Sequence, residues 1–162
     1  MADRVSASIT IGGALSAADY ATLAALIAGE GLSIEWDGPR FEPAHRTLNT
    51  PLQLYAHEIA WGRFEALEAW CVEHKLAFAR WCGGYASQWG AERCVFSGDG
   101  EPVSYPADED DYVVIGRDKA AALGSIEAIL AYFDAADVEI PPLVVKGDPL
   151  AAPRVASTAP HA

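Results

Sequence analysis

Basic side chains are scarce in this chain. Its 162 residues include 11 Lys and Arg against 23 Asp and Glu, which gives a formal net charge of −12. Nucleic acids and anionic membrane surfaces are bound by clustered Lys and Arg. The composition therefore argues against direct binding to either, and it favours a basic protein as the partner.

Cysteines and long apolar runs are also few. The apolar stretch over residues 20–29 is too short to span a bilayer, and the first residues lack the apolar region of a signal peptide. Three cysteines are too few, and odd in number, for a disulfide framework. We expect a cytoplasmic protein with free thiols.

Motifs for cofactors and catalysis are incomplete. Gly12-Gly13 and Gly83-Gly84 lack the further glycines and the lysine of nucleotide-binding loops, so they predict turns. His57-Glu58 begins like the zinc motif His-Glu-x-x-His, but Trp61 stands where the second histidine is needed. The sequence predicts no cofactor and no catalytic residue.

A metal site has only weak support. Cys71 and His74 are spaced i, i+3 on a predicted helix, and Cys82 lies on the next predicted strand. The three could converge on zinc, although buried cysteines and a histidine at a helix end explain them better. A metal-dependent or small-molecule enzyme, using these residues or His57 and Glu58, is the alternative function.

The apolar pattern predicts an α+β fold. Half of the residues (51%) are apolar, enough for a core. Period-two alternation predicts strands, and Ser16 predicts a helix start, with Gly29 as its end. The predicted order is strand 5–11, helix 16–29, strand 32–36, strand 52–59, helix 62–74 and strand 76–82. This β-α-β-β-α-β order is ferredoxin-like. A single helix over 52–75 is the alternative for that segment.

A β-hairpin and helices are predicted after this core. Strands over 92–97 and 103–105 flank a Gly98-Asp99-Gly100 turn, and a short strand is predicted over 111–115. A helix over 118–123 precedes one that starts at Ser125, whose apolar stripe is Ile126, Ile129, Leu130 and Phe133. Residues 1–145 form one domain in this prediction, and residues 146–162 form a flexible tail.

Half of the net charge lies in one short stretch. Residues 97–111 contain six acids and no Lys or Arg: Asp99, Glu101, Asp108, Glu109, Asp110 and Asp111. Such a run is typical of a solvated loop, and it also suits a surface that meets a basic partner. Its spacing and lack of a central glycine do not match a calcium-binding EF-hand loop.

Aromatic residues precede this acidic run. The chain has five tryptophans, most of which are expected in the core. Tyr85 and Trp89 lie in a glycine-rich loop beside polar residues, a composition typical of interfaces as well as of packing. On the predicted strand 76–82, Arg80 and Trp81 face opposite sides.

Four segments resemble small acidic proteins encoded on bacterial plasmids and integrated elements. These segments are Ile34-Glu-Trp-Asp-Gly-Pro, Glu58-Ile-Ala-Trp-Gly-Arg-Phe-Glu, Trp81-Cys-Gly-Gly and Ala107-Asp-Glu-Asp-Asp-Tyr. The resemblance covers roughly residues 5–145. Those proteins have no assigned activity, so the resemblance implies an accessory role on a mobile element and no catalytic residue.

The sequence therefore predicts a non-enzymatic interaction protein. The acidic residues, with Tyr85 and Trp89, would occupy a basic surface of a nucleic-acid-binding protein, as antirestriction, anti-defence and immunity proteins do. An oligomerising module that pairs through a sheet edge, for example as a homodimer, is a further alternative.

Overall fold

The computed structural model describes residues 4–85 and 88–149. Within these residues it is a mixed α+β fold with six strands in one sheet and four α-helices. The strands are β1 Arg4–Leu15, β2 Leu52–Ala60, β3 Ala77–Cys82, β4 Glu92–Phe96, β5 Val103–Pro106 and β6 Leu143–Val145. The helices are α1 Ala17–Glu30, α2 Glu65–Glu73, α3 Arg117–Leu123 and α4 Ile126–Ala136.

The sheet has the strand order β2-β1-β3-β4-β5, with antiparallel neighbours. β6 adds to the end of β1 in parallel. β2 and β3, which α2 connects, lie on either side of β1. The strand and helix predicted within 52–75 are confirmed, and the single long helix is wrong.

The second predicted strand, over 32–36, is absent from the described residues. Ser33 makes a bridge to Tyr55 on β2, and a tight turn follows in which Gly38 N–H donates to the carbonyl of Glu35. Asp37 has a positive φ of 59°, which ends any extended run. The ferredoxin-like order is therefore not confirmed, although the mixed α+β class is. The preceding helix α1 begins at the Ser16 cap as predicted, but it ends at Gly31 rather than Gly29.

The two faces of the sheet have different coverings. The alternate residues Val5, Ala7, Ile9 and Ile11 of β1 are buried with side chains of α1 and α2 in the main core. On the second face, Ala136 of α4 packs on Val95 and Tyr105, which lie toward β5. The part of the second face over β1, β2 and the end of β3 carries no helix among the described residues, and the candidate site lies there.

Gly12 marks a close crossing of two chain segments. The sequence predicts that Gly12-Gly13 ends the first strand, but β1 continues to Leu15. A Cβ at Gly12 would lie 1.7 Å from the carbonyl oxygen of Pro141, so only glycine lets that segment pass. Gly13 N–H then donates to the carbonyl of Pro142, which leads into β6.

The C-terminal addition follows most of the predicted pattern. The hairpin of β4 and β5 is confirmed, as are α3 and the Ser125 cap of α4. The strand predicted over 111–115 is reduced to one bridge between Ala107 and Val113, because the chain turns at Asp111 with a φ of 64°. The predicted stripe of α4 is partly wrong, since Ile126 and Leu130 are exposed while Ala136 is buried.

The first residues of the predicted tail pack on the body. Arg46 Nη1 donates to Asp148 Oδ2 at 3.0 Å, and both side chains are largely buried. The body therefore extends at least to Asp148, and residues 150–162 lie outside the described residues. Among the helices of the described part, none is long and apolar enough to cross a membrane.

Candidate functional site

The six acids of the predicted binding run do not form one surface. Asp99 and Glu101 belong to the turn between β4 and β5. Residues 108–112, here called the acidic loop, follow β5 at its other end. An extended strand of four residues separates the two groups by roughly 13 Å. Only the acidic loop approaches the uncovered part of the sheet.

Side chains and backbone groups of β3, β4 and the intervening loop hold the acidic loop in place. Three hydrogen bonds do so, each donated from the sheet side to the loop. They are Trp81 Nε1 to the Asp108 carbonyl at 3.0 Å, Gly84 N–H to Glu109 Oε2 at 3.0 Å, and Arg93 Nη1 to Asp111 Oδ2 at 2.7 Å. A solvated loop needs no such anchors, so this one has a defined position on the fold.

The carboxylates of the acidic loop have unequal surroundings. Asp108 Oδ1 accepts the backbone N–H groups of Asp110 and Tyr112, both at 2.9 Å, which fixes the turn. Burial raises the pKa of Asp111, and the nearby Arg93 only partly offsets this. Asp111 Oδ1 is buried with no hydrogen-bond partner among the described residues. In the same residues the Asp110 carboxylate makes no hydrogen bond or ion pair, so it is free to meet a ligand.

A pocket opens beside this loop because β1 contributes small residues between aromatic neighbours. Ser8 is paired with Tyr55 on β2 on one side and with Trp81 on β3 on the other. Side chains at paired positions share a face, so two aromatic walls rise on either side of a serine floor. We call this cavity of about 440 Å³ the open-face pocket; it is lined by Ser6, Ser8, Trp36, Tyr55, His57, Trp81, Glu109, Asp110 and Asp111.

Trp36 completes the aromatic walls. Its ring centroid lies 4.9 Å from that of Tyr55 and 5.0 Å from that of His57. The Trp36 ring is nearly perpendicular to the Trp81 ring, with an interplanar angle of 88° and 6.5 Å between the ring centroids. The sequence predicts Trp36 within a strand, whereas the turn at 35–38 places it over the sheet. That turn brings a third segment to the pocket.

A β-bulge places His57 at the pocket. Val5 pairs with Ile59 and Ala7 with Ala56, so both His57 and Glu58 lie opposite Ser6. Glu58 has a φ of 56°, which is rare for a residue with a side chain. The period-two pattern of the sequence contains no sign of this extra residue.

The bulge creates a chain of polar contacts that the sequence analysis missed. Ser6 Oγ lies 2.9 Å from His57 Nδ1, and His57 Nε2 lies 3.1 Å from Asp37 Oδ1. These are the residue types of a nucleophile, a base and an orienting acid. The Asp37 side chain is 85% exposed, however, so it is weakly held. The predicted pair His57 and Glu58 gains no other catalytic contact among the described residues.

The backbone amides of Gly83 and Gly84, which lie near Ser6, are already engaged in hydrogen bonds. Gly83 and Gly84 line a cavity of about 780 Å³ that adjoins the open-face pocket. Gly83 N–H donates to the carbonyl of Ser6, and Gly84 N–H donates to Glu109. Neither of these two amides is therefore free to supply the oxyanion site that acyl transfer needs.

Tyr85 and Trp89, both predicted to bind a partner, contact each other but face different cavities. Their rings stack at 5.3 Å. Tyr85 lines the adjoining cavity with Glu109. Trp89 lies 5.9 Å from Trp61 and lines a separate cavity of about 410 Å³. Tyr85 is thus the aromatic residue of the pair that extends the acidic surface.

The weak metal candidates Cys71, His74 and Cys82 are not brought together. Burial raises the pKa of the Cys71 thiol to about 12, which keeps it protonated and a poor ligand. The His74 ring stacks on Trp70 at 3.9 Å. Among the described residues, no group of three His, Cys, Asp or Glu side chains is arranged to hold a metal ion.

Arg80 carries a buried charge on the face of the sheet opposite the open-face pocket. As predicted, it faces away from Trp81; it lies in the core, with Nε 3.0 Å from Glu68 Oε2 and Nη2 3.1 Å from Glu92 Oε1. Burial lowers the pKa of Arg80, but the neighbouring acidic groups, Glu68 first, outweigh it and raise the pKa overall. Its partners come from α2 and β4, so sequence spacing gave no signal for the cluster.

No protein-family model, curated protein or solved structure matches the chain. The resemblance to acidic proteins of mobile elements stays a prediction. The features that bear on function are the aromatic walls, the serine floor and the anchored row of carboxylates.

Proposed function

We propose that this chain is a non-enzymatic acidic protein that binds a basic surface of another protein. Its target would be a nucleic-acid-binding protein, whose phosphate-binding surface carries clustered Lys and Arg. An acidic surface that occupies such a region competes with the nucleic acid. An inhibitor of antirestriction, anti-defence or immunity type, encoded on a mobile element, fits this activity.

The observation that carries the proposal is the anchoring of the acidic loop. Hydrogen bonds from Trp81, Gly84 and Arg93 hold it against the sheet. A binding surface that is ordered before association loses less conformational entropy when the partner arrives. Glu109 and Asp110 then present negative charge beside Tyr85 and the open-face pocket.

We also propose that the core derives from a ferredoxin-like sheet. The position of β1 between β2 and β3 supports this, since the split β-α-β unit has that arrangement. The bridge from Ser33 to Tyr55 lies where a second strand would pair with β2. On this proposal the second strand has been reduced to one residue.

Affinity capture with matched charge variants tests the proposed binding. Glu109→Gln with Asp110→Asn removes two charges from the acidic loop. The amide oxygen of glutamine can still accept the Gly84 N–H, and neither side chain takes part in the Asp108 turn or the Arg93 pair. Asp99→Asn with Glu101→Gln removes the same charge from the distant hairpin turn and serves as the control.

The captured protein should have a basic nucleic-acid-binding surface, and DNA or RNA should compete with the capture. The loop variant should lose the captured protein, and the hairpin variant should keep it. Equal capture by both variants, or a captured protein with no basic surface, would show that the acidic loop is not the binding surface.

A second function, hydrolysis, is favoured by one observation. The contacts that link Ser6, His57 and Asp37 could activate the serine hydroxyl. A fluorophosphonate probe tests this directly, because it labels activated serines. Labelling that maps to Ser6 and disappears in His57→Ala would favour a hydrolase over the binding protein.

A further inference from the structure

The open-face pocket has the chemistry of a cation site. Its walls are the side chains of Trp36, Tyr55 and Trp81, and its rim carries the carboxylates of Glu109 and Asp110. Aromatic faces attract cations electrostatically, most strongly those of tryptophan. Carboxylates next to such faces add charge-assisted hydrogen bonds to any donor on the cation.

One carboxylate of the acidic loop is available to a ligand. The Asp110 side chain makes no hydrogen bond or ion pair within residues 4–85 and 88–149, and it lines the pocket. A cationic donor that enters the pocket would pair with this carboxylate, whereas an anion or an apolar ligand would not.

We propose that the open-face pocket binds one cationic side chain, arginine or lysine, of the basic partner. This inference rests on the proposed function and adds the position of an anchor residue. The Trp36 and Trp81 rings meet edge to face at an interplanar angle of 88°, so they form a corner in which a planar guanidinium can stack on one ring face. A single buried arginine at the centre of an interface is a common binding hot spot.

The first test is titration with Nα-acetyl-arginine amide, followed through the indole N–H signals in ¹H–¹⁵N NMR spectra. Nα-acetyl-citrulline amide is the control, because it has the same shape without the charge. The arginine compound should shift the Trp36 and Trp81 signals in a saturable way at low ionic strength. The citrulline compound should not.

Variants of the pocket then identify the binding groups. Trp36→Leu should weaken binding of the arginine compound by roughly 5- to 30-fold. Trp36 is 40% exposed, so this variant is expected to fold; Asp110→Asn, which alters no internal contact, should also weaken binding. Trp61→Leu replaces a 54% exposed tryptophan outside the pocket and should bind like the parent.

Several outcomes would overturn the inference. They are equal shifts from the arginine and citrulline compounds, unchanged binding by Trp36→Leu, or saturable binding of tetramethylammonium with none of the arginine compound. The pocket inference can fail while the proposed function holds. If Trp36→Leu still captures the partner while Glu109→Gln with Asp110→Asn does not, the acidic loop binds the partner and the pocket anchors nothing.

Discussion

Arg80 offers the sharpest test of what stabilises this fold. Its side chain is only 3% exposed and lies against two carboxylates, Glu68 at 15% exposed and Glu92 at 31% exposed. Arg80→Met would keep most of the aliphatic volume while removing the positive charge. The variant should therefore report the cost of leaving Glu68 without its cation, with little contribution from a cavity.

The expected loss is about 3 kcal/mol in the free energy of unfolding. Removal of one partner from a buried ion pair costs about 3–5 kcal/mol because the remaining charge is uncompensated. Glu92 lies near enough to water to be partly solvated, which favours the lower end of that range. A domain of this kind has roughly 5–15 kcal/mol of stability in total, so the variant should still fold.

Urea unfolding followed by tryptophan fluorescence measures this loss. Adding Glu68→Gln to Arg80→Met should recover part of it, since glutamine carries no charge and can still accept the N–H of Phe64. Arg63→Met, the same change at an exposed arginine, is the control and should stay within about 0.5 kcal/mol of the parent. If Arg80→Met also stays within about 1 kcal/mol, the buried pair does not have the assigned role.

Four further predictions concern single positions. Gly12→Ala should destabilise the protein by about 3 kcal/mol because its Cβ would meet a backbone carbonyl. Gly29 lies in α1, and a methyl group added there would meet no atom within 4 Å. Gly29→Ala should therefore stabilise the protein by about 1 kcal/mol, and thermal unfolding measures both glycine variants. Asp148→Asn should lower Tm at neutral pH, and this difference in Tm should shrink as the pH falls below 3.8. Hydrogen bonds, that from Arg46 first, hold the pKa of Asp148 below its ordinary 3.8, so its contribution is present above that pH and is lost as pH falls. Cys71, whose pKa burial raises to about 12, should react with a thiol reagent only after unfolding.

Each of these has a contrary outcome. Equal Tm values for the two glycine variants would show that the crossing at Gly12 is not tight. A Tm difference for Asp148→Asn that persists at low pH would separate its effect from the ion pair. Rapid reaction of Cys71 in the folded protein would mean that its side chain is not buried.

Local signals allowed much of the fold to be predicted. Alternation along β1 identifies its buried residues, and Ser16 and Ser125 mark helix starts through side-chain caps that the structure contains. The β4–β5 hairpin follows from its glycine turn. These features depend on residues close in sequence, where spacing determines which side chains meet.

The site depends on contacts that spacing does not encode. Apolar residues alternate along 32–36 (Leu32, Ile34 and Trp36) as they would in a strand. In the structure, Leu32 is buried in the main core, whereas Trp36 lies at the open-face pocket on the other face of the sheet. The same alternation of apolar residues can therefore occur in a turn, where successive apolar side chains pack against different parts of the fold. The acidic loop was identified from charge alone, but its partners Trp81 and Arg93 lie on strands earlier in the chain.

The edge strands of the sheet determine whether a second copy of the chain could extend it. β2 is one edge, and its bulge at His57 and Glu58 interrupts the regular row of N–H and C=O groups. β5 is the other edge; it has only four residues and ends at Pro106, which has no N–H to donate. Short, irregular edges resist the addition of a strand from a second copy. The edges of β2 and β5 therefore disfavour a homodimer that extends the sheet through them, and the exposed Ile126 and Leu130 of α4 offer another surface.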